Sequence, residues 1–266
     1  MATTFTPSPI TAVAAAIATA LAATNAVGQT TTSSPQRVDT VTITAKSAPV
    51  LDIDNADVGG FSAPLAKTPQ SVTVIGADLL AGTATQSLSN LLKLDASLAD
   101  AYNTTGYIES LSVRGFLLDQ AGNFCRNGLA ISNYAPIALE NKERIEVLKG
   151  VAGLQSGVSA PGGLVNYVTK APLRDAFTTA TLATDERGGA RVHVDSNVML
   201  GSIGARLNVA AERLRNQFDR AGGDRQFASL ALATQLSAQT SLSADFEYHR
   251  KSQPSVPGLG LLDRDG

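Results

Sequence analysis

The feature that most constrains this 266-residue chain is a series of segments after Lys170 in which apolar and polar residues alternate. In 190–200 the even positions are Ala190, Val192, Val194, Ser196, Val198 and Leu200, while the odd ones are Arg191, His193, Asp195, Asn197 and Met199. The next segment sets Ile203, Ala205, Leu207, Val209 and Ala211 against Gly204, Arg206, Asn208 and Glu212. A third has Leu230, Leu232 and Leu236 on one side, and a fourth sets Leu242, Ala244, Phe246 and Tyr248 against Asp245, Glu247 and His249. With the weaker stretch Thr178–Thr184, five strands are predicted, because a period of two sends successive side chains to opposite faces.

Strands of about 10 residues with one apolar and one charged face match a membrane barrel, apolar outside and polar within. A soluble sandwich alternates as well. The connections separate the two: Gly201-Ser202 and Ser237–Gln239 are tight, whereas Arg213–Arg225 and the tail after Lys251 are long and polar or Gly/Pro-rich. Short turns alternating with long loops favour the barrel, and Phe246 and Tyr248 suit an interfacial aromatic girdle.

Before these strands lies a different kind of sequence. Compact structure is predicted from about Pro69: a strand at Ser71–Ile75, short helices at Ala77–Ala81 and Ser87–Leu94, and strands at Ile108–Val113, Arg126–Ile131, Arg144–Lys149 and Leu164–Thr169. Leu88, Leu91 and Leu92 fall on one helical face, and Ile145 and Val147 oppose Arg144 and Glu146 across a strand. The whole is a small α+β unit of about five strands. Its Gly-rich stretch Gly150–Gly163 lacks the Lys-Ser/Thr of a phosphate loop and misses the spacing of a nucleophile elbow, so the glycines read as turn formers.

The N-terminal region is organised for export. No charged side chain precedes Arg37, and Ile10–Ala23 is apolar but shorter than the ~20 residues that span a bilayer. With Ala26-Val27-Gly28 as a cleavage site, 1–28 reads as a secretory signal, although it lacks the usual positive n-region; the alternative is an Ala/Thr-rich tail. Residues 29–60 read as a flexible segment interrupted by Asp39–Ala45 (DTVTITA), in which Thr40, Val41, Thr42, Ile43 and Thr44 are all β-branched. Such an isolated β-competent segment suits pairing with another protein's sheet edge, or else is an edge strand of the next domain.

Composition narrows the chemistry. A net charge of −2 points to no nucleic-acid partner. Cys125 is the only cysteine, so no internal disulfide or Cys-based zinc site can form, and it reads as a small buried apolar side chain. Histidine is represented only by His193 and His249, and no acid, base and nucleophile set emerges; catalytic residues, a metal site and a cofactor are all expected to be none.

The order of parts resembles the TonB-dependent outer-membrane receptors, in particular ferric-siderophore receptors. The matching segments are DTVTITA at 39–45, KTPQSVTVI at 67–75, SLSVRGF at 110–116, RIEVLKG through SAPGGLVNYVTKAP at 144–172, and QPSVPGLGLL at 253–262. The resemblance implies an α+β plug domain at 61–172 followed by antiparallel transmembrane β-barrel strands at 173–266, the plug lying inside a 22-stranded, monomeric barrel in the Gram-negative outer membrane. The 96 residues after Lys170 reach only five such strands, so a truncated, incomplete barrel is expected, with two unpaired edges.

The resemblance also implies partners and sites. Asp39, Thr40, Val41, Thr42, Ile43, Thr44 and Ala45 would be the TonB box, added as a strand to the TonB C-terminal domain. The ligand would be an iron–siderophore chelate, met by plug loops carrying Tyr102, Asn103 and Tyr107, then Gln120, Asn123 and Phe124, then Asn133 and Tyr134. Arg114, among Leu111, Val113 and Phe116, would lock plug to barrel if buried, with Glu146 a second candidate; the alternative for Arg114 is a solvated strand-end charge. Outer-membrane lipid would meet the apolar face. Competing functions are uptake of a cobalamin, heme or glycan, or a secreted β-rich adhesion or binding module. No separate signalling domain is expected between a cut near Gly28 and Asp39.

Overall fold

The computed structural model describes Ala56, Lys67 and residues 69–82, 87–101, 106–151 and 159–256, all within one unit, Pro49–Gly266. The predicted signal, the segment 39–45, Tyr102, Asn103 and the side chains of Leu91 and Leu92 lie outside the described residues.

The plug opens with strand β1 (Ser71–Gly76) and the single helical turn α1 (Ala77–Gly82). The second predicted helix is a 3-10 turn, Leu88–Lys93. Its first bond runs from the Asn90 N–H to the Ser87 carbonyl, and serines and an asparagine in so short a run favour local bonds over a continuing α-helix. Strands β2 (Leu98–Asp100), β3 (Leu111–Val113) and β4 (Phe116–Leu117) form one small sheet. Strands β5 (Phe124–Arg126), β6 (Leu129–Ala130), β7 (Lys142–Lys149) and β8 (Gly163–Thr169) join β1 in a second sheet of order β1-β7-β8-β5-β6.

The expectation of about five strands is therefore corrected to eight described strands in two sheets. The predicted strand Arg126–Ile131 is instead a tight hairpin: Asn127 and Gly128 both hold positive φ, 50° and 79°, and reverse the chain between β5 and β6. Asn-Gly is a strong hairpin signal, because both central residues of such a turn need the left-handed region. Arg114 and Gly115, with φ of 52° and 84°, make the equivalent turn between β3 and β4.

Both faces of the larger sheet are covered. Ile75, Ile145, Val147, Val165, Tyr167 and Phe124 project into the main core, packing with Leu80, Leu88, Leu98, Leu111, Val113 and Leu118. Val74, Leu148, Leu164 and Cys125 pack with Ala56 on the other side. Glu146 shares that second face and is wholly buried, accepting from Arg144 Nε (2.7 Å) and Asn166 Nδ2 (2.9 Å). Such a carboxylate persists in a core only because its lone pairs are used.

Gly163 shows how closely β7 and β8 approach. It sits at φ 144° opposite Lys149, and an added Cβ would run into the Leu148 carbonyl. Gly128 is also at positive φ, but open space surrounds it. Gly163→Ala is expected to cost about 3 kcal/mol and Gly128→Ala only about 1 kcal/mol, the difference being backbone overlap added to conformational strain. Urea unfolding of the two variants checks the order.

After Lys170 the chain becomes an antiparallel meander: β9 (Phe177–Thr184), β10 (Ala190–Leu200), β11 (Ile203–Leu214), β12 (Gly223–Gln235) and β13 (Ser241–Ser252), each paired with the next. All five predicted strands are present. Strand β12 starts earlier than expected, because Arg225 and Asp224 at its head pair with Glu212 and Arg213 of β11 and shorten the loop. Register places Ser196, Leu207, Leu230 and Phe246 in one row across the sheet, and Val198, Ala205, Leu232 and Ala244 in the next. Leu182, Leu200, Leu242 and Phe246 stand 82%, 62%, 58% and 62% exposed, an apolar surface that water would not tolerate over such an area. Among the described residues no helix is long and apolar enough to cross a membrane.

Candidate functional site

The opposite face of the meander is polar, and the plug sits on it. One inward row runs Arg191, Glu212, Arg225, Lys251; the row two residues further along the strands holds His193, Ala210, Phe227 and His249; the next holds Asp195, Asn208, Ser229 and Glu247. The plug segment 138–142 crosses these rows. Ala138 packs on Ala210 and Phe227, whose ring meets His249 edge-on. Glu140 accepts from Arg225 Nη1 at 3.1 Å, is bonded also by Arg225 Nη2, and lies 3.3 Å from Arg191 Nη2. Arg225 Nε donates in turn to Glu212 at 2.7 Å.

A second cluster centres on Glu247 of β13. Its Oε2 accepts from Asn141 Nδ2 (3.0 Å), Lys142 Nζ (3.1 Å) and Arg126 Nη1 (3.2 Å). A third ties down the exit from the plug: Lys170 Nζ and Arg206 Nη2 both donate to Asp195 Oδ2, at 2.8 and 2.9 Å, and Asn197 Nδ2 donates to the carbonyls of Leu173 (2.9 Å) and Asp175 (2.7 Å). Arg191, Asp195, Arg225 and Glu247, turned inward by the alternation, thus meet opposite charges from the plug or its exit segment, and Arg206 and Glu212 meet theirs on neighbouring strands, which is what makes the burial tolerable.

Electrostatics follow from this packing. Burial by itself would raise the Glu140 carboxyl, but the Arg225 hydrogen bond and charge, with Arg191, hold it down at about 2. Burial pushes the Lys142 ammonium below its usual range, Glu247 resisting. At Asp95, burial is likewise overcome by the 2.7 Å ion pair with Lys149 and by bonds from Ser97, leaving the carboxyl well below the usual carboxylate range. A depressed carboxyl stabilises the fold above its unfolded value and loses that contribution as pH falls through its folded value. The Glu140 contact is therefore expected to hold above about pH 4.5 and to weaken progressively toward about pH 2. Protease protection of the plug across that range checks the sign.

Between plug and strands, at the end where β11 and β13 finish, lies a cavity of about 480 Å³ lined by Tyr107, Glu109, Pro136 and Ile137 and by Glu212, Arg225, His249 and Lys251. A neighbouring one of about 450 Å³ shares Tyr107, His249 and Lys251 and adds Tyr134 and Arg250. Volumes of this size take a small organic ligand, and the mixed aromatic, cationic and anionic lining suits a polar one.

The predicted ligand residues divide. Tyr107 and Tyr134 are 51% and 63% exposed and line these cavities. The other four described candidates are buried framework, which corrects their expected exposure on the loops. Phe124 is a core side chain. Asn123 accepts the N–H groups of Asp119 and Ala160 (both 3.0 Å) and donates to the carbonyls of Ala160 (2.9 Å) and Gly163. Gln120 and Asn133 bond each other at 2.9 Å. Asparagine and glutamine in loops serve backbone satisfaction as readily as ligands, and their sequence signal is the same.

Arg114 is exposed, not buried; its guanidinium donates to Ser71 Oγ at 3.0 Å, inside the plug. The described partners of Glu146 are also inside the plug. The plug-to-strand ion pairs are made instead by Glu140, Lys142, Arg126 and Lys170. The missed signal was available: Arg191, Asp195, Arg206, Glu212, Arg225 and Glu247 all alternate inward and require counter-charges, and the charged run Glu140–Arg144 can supply several.

This arrangement, a small α+β domain seated by ion pairs on the polar face of antiparallel strands whose other face is apolar, is that of a plug domain against barrel strands. Residues 64–164 match the family model described as the TonB-dependent Receptor Plug Domain. It is 27% identical over 212 residues to the catecholate siderophore receptor Fiu of Escherichia coli O157:H7, covering 76% of this chain and 27% of that protein. It is 34% identical over 114 residues to the metal-pseudopaline receptor CntO of Pseudomonas aeruginosa, covering 42% and 16%. Among solved structures it resembles the siderophore receptor PiuA from Acinetobacter baumannii, with a TM-score of 0.69 at 23% identity over 76% of this chain and 29% of that one. The chain spans about 27% of the length of the catecholate receptors it matches.

Proposed function

We propose that this chain serves as an outer-membrane receptor for TonB-dependent uptake of a ferric siderophore. The observation that carries the reading is the cavity between Tyr107 of the plug and Lys251 of β13, at the end of the strands opposite the tight Gly201-Ser202 turn. In a barrel with short periplasmic turns that end faces the exterior, where a ligand arrives. Tyr107 and Tyr134 offer aromatic area to a bulky chelate, and Lys251 and Arg250 offer charge to an anionic one. Tyr102 and Asn103 are proposed to contact the same ligand. Receptors and a transporter for siderophores or metal chelates are the relatives it resembles, which supports transport over catalysis.

Coupling is assigned to residues 39–45, whose β-branched run suits addition to the edge of TonB's sheet. Val41→Pro removes one main-chain donor from that added strand and fixes its φ. In iron-starved cells carrying the full receptor, this variant is expected to bind chelate normally and to lose uptake by at least about tenfold. Unchanged uptake of every ferric chelate tried would count decisively against the assignment.

A further inference from the structure

Glu109 occupies an unusual position in the plug. Its side chain lines the cavity beside Tyr107, while its Oε2 accepts the Leu88 N–H at 3.0 Å, where the 3-10 turn begins, and Ser87 adds a side-chain hydrogen bond. Its main chain is held as firmly: the carbonyl accepts from Asn133 Nδ2 (3.1 Å) and from Gln120 Nε2 (3.3 Å), and Gln120 Nε2 also donates to Ser110 Oγ (2.8 Å). The buried amides of the second and third loops therefore serve to fix one carboxylate. Beyond it, Leu88 is 2% exposed in the main core with Ile75 of β1 and Leu80 of α1, so the 3-10 turn is joined to the first strand of the plug.

The charges facing Glu109 come from three strands: Lys251 of β13 attracts it, Asp100 of β2 repels it, and the Tyr167 hydroxyl of β8 feels its field. Burial raises the Glu109 carboxyl above its ordinary range, with the Leu88 N–H, Lys251 and Ser87 opposing. Ionised, it makes a charge-assisted bond to Leu88; protonated, it makes a weaker neutral one.

We propose that Glu109 is the positioning residue through which an anionic occupant of the cavity acts on the plug, loosening the turn Leu88–Lys93. This rests on the ligand-cavity reading above. An anionic chelate draws the Lys251 ammonium toward itself and leaves Glu109 facing Asp100 without its cation. The carboxylate then takes up one proton from the solvent buffer, and the bond that holds the start of the turn weakens. Since Leu88 packs with β1 and α1, the disturbance enters the N-terminal part of the plug.

The test is hydrogen exchange of residues 87–93 in the detergent-solubilised full chain, with ferric tris-catecholate as probe, in wild type and Glu109→Gln. The amide variant keeps an acceptor for Leu88 but cannot change charge. Where the probe binds, wild-type exchange is expected to rise about fivefold, the difference between a charge-assisted and a neutral bond, and the variant to stay level. A bound probe with no wild-type response, or an equal response in both proteins, overturns the proposal. Where the probe does not bind, the anionic-chelate reading fails separately, and pH decides. Exchange corrected for its intrinsic rate should then rise, in wild type only, as pH falls through the raised range of the Glu109 carboxyl. A flat wild-type profile, or the same rise in Glu109→Gln, sinks the role of Glu109.

Discussion

Glu140→Ala is expected to destabilise the plug's seat on the strands by about 3–5 kcal/mol, the range for removing one partner from a buried ion pair. Glu140 is 5% exposed and Arg225 7%, and the Arg225 guanidinium is shared only with Glu212 once Glu140 is gone. Two cations, Arg225 and Arg191, would then face one remaining carboxylate in a place that water scarcely reaches. Replacing the pair together, Glu140→Leu with Arg225→Met, is expected to recover much of the loss, because no charge is then stranded and the apolar contact of Ala138 with Phe227 lies alongside. Thermal unfolding of the plug, read by protease sensitivity in detergent, distinguishes the outcomes. A single variant as stable as wild type would show that the cluster does not hold the plug.

Phe246→Arg carries the second large effect, about 2–4 kcal/mol against folding in a bilayer. Phe246 lies midway along β13, 62% exposed, in the row with Leu230, Leu207 and Ser196. On a soluble sheet an exposed Phe→Arg change would move stability by no more than about 0.5 kcal/mol. In hydrocarbon the guanidinium must shed water or drag it in. Urea titration in lipid vesicles, compared with Asp245→Asn on the other face, measures the contrast. A cost below 1 kcal/mol for Phe246→Arg would place this row in water and not in lipid.

Much of the architecture was legible from local pattern. Period-two alternation in 190–200 and 203–212 assigned strands and both faces, because each residue's direction along a strand depends on position alone. The turn chemistry of Asn127-Gly128 was equally legible, yet the stretch around it reads as one strand when hydrophobicity is weighed ahead of the left-handed conformation that Asn-Gly favours. The 3-10 turn at Leu88–Lys93 has a helical apolar spacing, and what separates it from an α-helix is the polar residues and the Glu109 bond at its start, a contact made 21 positions away in sequence.

The candidate site was less accessible. Tyr107 and Tyr134 line the cavities, but nothing local distinguishes them from Phe124, which is equally aromatic and wholly in the core. Gln120, Asn123 and Asn133 have the composition of a ligand loop and the surroundings of a scaffold, since an amide serves a backbone or a ligand with the same atoms.

The sequence by itself determined the strands, which face of each is apolar, the small α+β domain before them and the charges that must turn inward, because these follow from spacing along one chain. Only the tertiary structure decided the pairings: Glu140 with Arg225, Lys142 with Glu247, Asp195 with Lys170, and Glu109 with Leu88. The reason is physical. An inward charge requires some opposite charge within about 4 Å, but many are available in the sequence, and only the packing of plug against sheet determines which one arrives.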